Sequence, residues 1–66
     1  MYDEYMNNIE NIDNSIKNID NELINIKIAI HNLEKLDYNM NDVYNQIDNV
    51  GIEFYKLKTM IQKKLY

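Results

Sequence analysis

Asp37-Tyr38-Asn39-Met40-Asn41 places oxygen-bearing side chains at alternate positions, and Asp48 falls at the twelfth place counted from Asp37. That D-x-N-x-N spacing opens a calcium loop, in which a tight turn aims successive oxygens at one hard cation. Two residues break the chemistry. Asp42 stands where a glycine must make the sharp turn, and Asp48 is shorter than the Glu that closes such a loop with both carboxylate oxygens. From Val43 onward the apolar spacing is that of a helix, which a calcium loop would interrupt. In a chain this rich in Asn and Asp such a match arises by chance, and no calcium site is assigned.

The other chemistry-bearing residues are sparse. His31 is the single histidine, with Glu34 one helical turn on. Two ligands on one helix fall short of the set a structural zinc requires, so His31 reads as a solvated surface residue. Glu10, Asp13 and Asp20 follow one helical face and read as its solvated side. The chain has no Cys, which excludes disulfides and thiolate metal sites. It pairs no nucleophile with a base and has no Gly-rich phosphate loop. The expectation is a non-catalytic protein without cofactor or metal. A net charge of −4 argues against direct nucleic-acid binding, which needs surplus Lys or Arg. No run approaches the roughly 18 apolar residues of a membrane span. Met1-Tyr2-Asp3-Glu4 lacks the basic start of a secretory signal, so the expected place is the cytoplasm of the producing cell or its host. The basic, amphipathic stretch Ile52–Tyr66 reads as a helix that packs in a core in preference to one that lies on a membrane surface.

What organises these residues is an apolar seam. Ile9, Ile12, Ile16, Ile19, Leu23, Ile26, Ile30 and Leu33 recur alternately three and four residues apart, and nearly everything between them is polar. Sustained 3-4 spacing predicts a coiled-coil helix over about residues 3–36. Ile and Asn are modest helix formers, so that helix depends on packing more than propensity. Upstream, Tyr2 and Tyr5 extend the seam, Asp3 and Glu4 suit a helix N-terminus, and fraying is expected there because nothing obvious packs opposite.

The register then shifts. A second seam runs Leu36, Met40, Val43, Ile47, Val50, Phe54, Leu57, Ile61, which predicts a helix over about 40–65. A turn at about 37–39 makes the whole chain, residues 1–66, one all-α domain: an antiparallel helical hairpin of coiled-coil type. The two seams mirror each other about residue 38, so that Leu33 meets Val43, Ile26 Val50 and Ile19 Leu57. Charge agrees: residues 1–22 carry six acids against Lys17, while Lys56, Lys58, Lys63 and Lys64 crowd residues 56–66 without an acid. Only Asp20 with Lys58 clearly flanks the seam, whereas Glu34 and Asp42 would face each other near the turn. Asn39 is the expected N-cap of the second helix, with Asp42 in its first turn. The absence of Gly or Pro at the turn speaks for the alternative, one continuous helix about 100 Å long. Ile and Leu at both seam positions would set such a helix in a parallel trimer or tetramer.

Sixty-six residues give a thin core without staples, so oligomerisation is expected. Ile24, Ile28, Tyr44, Ile52 and Tyr55 lie off both seams and gather on one side of the hairpin, with Gly51 between them. Gly51 reads either as a weak spot or local break after Val50 or as a point of close approach by another helix. Such a patch marks an interaction site. Two hairpins packing these faces would make a four-helix bundle; kept free, the patch serves another protein. The function expected is oligomerisation and protein–protein interaction. The alternative is a small acidic inhibitor or regulator bound to a larger enzyme or nucleic-acid machine. Small acidic Cys-free chains of this size resemble phage or mobile-element inhibitors in type.

Overall fold

A computed structural model describes residues 2–66, with side chains from Asp3 onward; Met1 and the side chain of Tyr2, which the seam would include, lie outside the described residues. Two helices fill almost all of it, α1 (Tyr2–Lys35) and α2 (Asn41–Leu65), packed antiparallel. Both obey the helix dipole, with acids in their first turns (Asp3 and Glu4; Asp42) and lysines in their last (Lys35; Lys63 and Lys64). The molecule extends 54 × 17 × 10 Å, the dimensions of a hairpin, about half the length of a continuous helix.

The turn works without glycine because Asp37 adopts the left-handed conformation itself, with φ of 69°. Asp and Asn tolerate this region better than other residues with a Cβ. The Tyr38 N–H donates to the Leu33 carbonyl (3.2 Å) and the Asp37 N–H to the Glu34 carbonyl (3.1 Å). These two bonds form a Schellman motif, which satisfies carbonyls that the end of α1 leaves open. Leu36 is the residue at which this cap begins. It is 68% exposed, so its expected place in the core is corrected: the cap turns it outward.

The start of α2 also differs by one residue from the expected arrangement. Met40 occupies the N-cap position and makes no side-chain cap bond. Asn39 still supplies an acceptor, since its Oδ1 takes the Asn41 N–H at 3.2 Å, two residues on. Residues 41–48 are helical. The second half of the calcium-like spacing therefore lies on a helix, where its oxygens cannot converge on one cation.

α2 runs unbroken through Gly51, and a Cβ built there meets nothing within 4 Å. A break after Val50 and a close approach within the chain are thereby corrected, and the reading that stands is a weak spot, a helical glycine beside open space. The start of α1 has a partner that the sequence did not suggest, because the Tyr5 hydroxyl donates to the Leu65 carbonyl at 2.9 Å.

Candidate interaction faces

The seam residues are not equivalent. Ile9, Ile16, Leu23 and Ile30 on α1, and Met40, Ile47, Phe54 and Ile61 on α2, are spaced seven apart and are buried or half-buried. Among the described residues only Ile9 and Ile30 are less than a tenth exposed. This inner row lies where the helices approach most closely. In the alternate row Ile12 is half-buried, while Ile19, Ile26 and Leu33 with Val43, Val50 and Leu57 remain 37–49% exposed. In this hairpin the line of contact runs along the inner row, and the neighbouring helix leaves most of the second row half exposed. The hairpin covers the inner row and turns the outer row to one side.

On that side the surface is an open apolar trough. Ile12, Ile16 and Ile19 face Phe54, Leu57 and Ile61 across one stretch, rimmed by Asn8, Asn11 and Ser15. Further toward the turn, Val50 and Leu57 continue it beside Gln46, Asn49 and Glu53. Glu53 is engaged by Lys56 on its own helix at 3.2 Å.

The opposite side is bridged by charge. The residues next to the inner row there are Asp13, Asp20 and Lys27 on α1 and Gly51, Lys58 and Leu65 on α2, all half-buried. Lys58 Nζ reaches Asp20 at 3.2 Å, as the spacing suggested, and lies 5.2 Å from the centre of the Phe54 ring. Lys27 Nζ reaches Asp48 at 3.2 Å, a pair that the seam spacing did not suggest. At the open end the Tyr66 hydroxyl donates to Asp13 Oδ1 at 2.6 Å. That bond, with smaller contributions from desolvation and from the charge of Asp13, raises the Tyr66 phenol above its ordinary pKa.

The off-seam patch falls on this bridged side, partly assembled. Ile24, Gly51 and Tyr55 line one shallow groove with Asp20, Lys27 and Lys58. Ile52 joins Gly51 and Tyr55 in the next, beside Lys27 and Asp48. Ile24, Ile52 and Tyr55 are more than half exposed, as is Ile28, which lines neither groove. Tyr44 stands apart toward the turn, with His31 and Glu34. The structure therefore gathers Ile24, Gly51, Ile52 and Tyr55, leaves Ile28 and Tyr44 outside, and threads ion pairs through the group.

No group of three His, Cys, Asp or Glu side chains among the described residues is close enough to hold a metal ion. No helix among them is long and apolar enough to cross a membrane. No protein-family model, curated protein or solved structure matches the chain.

Proposed function

We propose that this chain is a small non-catalytic protein of coiled-coil type that works by oligomerisation and protein–protein contact. The observation that carries the reading is the half-exposed outer row, an apolar stripe along both helices that one hairpin leaves uncovered. Isolated exposed apolar residues are ordinary, but a contiguous stripe on a small protein marks a contact surface. The shape supports the non-catalytic part. A molecule 10 Å thick is a single layer of helices, and its grooves are open troughs that cannot close around a substrate.

Light scattering combined with small-angle scattering tests this at micromolar to millimolar concentration. The expected result is a particle of a multiple of 8.0 kDa. A particle of single-chain mass at every concentration overturns the oligomer.

A second reading has its own observation. Tyr55, 67% exposed, stands with Ile52 among charged residues on the bridged side, the aromatic-and-polar mixture that recognition surfaces use. In that reading the chain is an acidic regulator that docks this side on a larger enzyme or nucleic-acid machine. Tyr55→Glu then abolishes binding to the partner and leaves the mass of the free protein unchanged. If the same change dissolves the oligomer instead, the bridged side serves self-assembly.

A further inference from the structure

Resting on the reading of an oligomerising protein, we infer which face meets the second copy: the trough of outer-row residues, and not the side that carries Tyr55. Two copies seat trough to trough and complete a four-helix bundle.

Exposed area favours such a partner. A compact monomer of 8.0 kDa exposes roughly 4,450 Å², about 1,200 Å² less than the 5618 Å² of this chain. A stable interface removes about 800 Å² from each partner. The trough side spans the full 54 × 17 Å of the hairpin, ample for such an interface. Stacking a second layer there would bring the structure from one layer of helices to two, the minimum that surrounds a core.

Continuity with the packing already formed selects the trough. A four-helix bundle buries both rows of a 3-4 seam, whereas this hairpin buries chiefly one. The inner row is in place, and Ile19, Ile26, Leu33, Val43, Val50 and Leu57 are the remaining half of the same pattern. A two-fold axis running along the helices would set the Ile and Leu of α1 against the partner's smaller Val residues of α2. Such a self-complementary face is what an isologous dimer requires.

Charge selects the same face. Each copy carries −4, so the surface brought against itself has to be the less charged one. The floor of the trough is Ile, Val, Leu and Phe, and its rim is largely Asn, Ser and Gln. The opposite side places Asp20, Lys27, Asp48 and Lys58 at its centre, already engaged with each other. Burying that network against a second copy would cost desolvation that the pairs do not recover.

The test compares faces. Wild type is expected at twice 8.0 kDa, with a thermal midpoint that rises with concentration. The double variant Ile26→Asn, Val50→Asn is expected to weaken association roughly 100-fold, and Ile52→Gln, Tyr55→Gln to leave it within about threefold. Because the first variant can lose its fold with its partner, single cysteines provide a gentler readout in a chain that has none. The thiol of Val50→Cys should react at least about tenfold more slowly with an alkylating reagent in concentrated than in dilute samples, and that of Tyr55→Cys equally in both. An oligomer that survives the trough variant, or protection at residue 55 without protection at 50, overturns the trough as the interface and leaves the oligomeric reading standing. A wild type of single-chain mass overturns both. An oligomer of another size with both faces protected overturns the dimer proposed here.

Discussion

The two long sides of this hairpin are built from the same repeat and differ in the residues that flank the inner row. On one side its neighbours include Asp20, Lys27 and Lys58, which bridge the helices by charge, Asp20 to Lys58 and Lys27 to Asp48. On the other they are Ile19, Ile26, Leu33, Val43, Val50 and Leu57, which bridge nothing within the chain. Exposed or half-exposed ion pairs contribute at most about 1 kcal/mol each, so the bridged side orients the helices more than it stabilises them. The apolar side holds the larger potential for stabilisation, and it is unrealised until something covers it. The difference teaches that the heptad seam of this hairpin is two surfaces, one internal and one offered outward.

The sharpest way to break this comparison is to truncate one residue of each row. Ile30→Ala removes a side chain only 3% exposed and should cost about 3 kcal/mol of stability, measured by urea or thermal melts. Ile26→Ala removes one 44% exposed, and in a lone hairpin should cost about half as much. If a second copy covers the trough, the two costs converge as concentration rises. Costs that stay apart at every concentration would mean that the outer row remains in water.

Gly51→Ala probes the other side. Nothing lies within 4 Å of the Cβ position, so the substitution should stabilise the protein by about 1 kcal/mol through helix propensity alone. A lower urea midpoint would instead place another helix against the bridged side, and the roles of the two faces would be reversed.

Much of this was legible in the sequence, for identifiable reasons. The mirror symmetry of the seams about residue 38 and the polarised charge pointed to the hairpin, and Asp20 with Lys58 was the pair that flanked the seam. The turn was harder to read because Asp37 takes a conformation usually left to glycine, on the strength of two backbone bonds that no sequence pattern displays. Leu36 was misplaced for the same reason, since its spacing continues the seam while the cap directs it outward. The division into inner and outer rows was not legible at all from apolar spacing. Ile19 and Ile16 are the same residue type, and only the rotation of each helix about its axis makes Ile16 half-buried and Ile19 exposed. That rotation is encoded in the polar residues beside the seam, where Lys27 and Asp48 proved to be partners.

The ion pairs should show smaller effects. A double-mutant cycle on Asp20→Asn and Lys58→Met is expected to give a coupling of about 0.5 kcal/mol that shrinks with added salt, because both side chains remain partly open to water. A coupling several times larger that ignores salt would show the bridged side to be buried in solution, which only an unseen partner on that face could do.

The smallest effect is expected at the open end, where Tyr66 and Asp13 close the bridged side. The Tyr66 phenol donates to a carboxylate, so losing its proton would remove the bond and set two anions together; this is why its pKa is raised. That direction sets the sign of the pH effect. A group whose pKa is higher folded than unfolded contributes stability that is fully present below the unfolded value, about 10 for tyrosine, and is lost as pH rises through the folded value. Wild type should therefore lose stability relative to Tyr66→Phe as pH rises above about 10, and the two should differ by a constant amount below it. The absorbance of the phenolates should show one tyrosine titrating later in wild type than in Asp13→Asn. A pH profile with no such divergence would mean that the end of α2 is not held to α1 by this bond. The bridged side would then be fixed at its centre alone, by Lys27 and Lys58, and its open end would be free to splay without disturbing the trough.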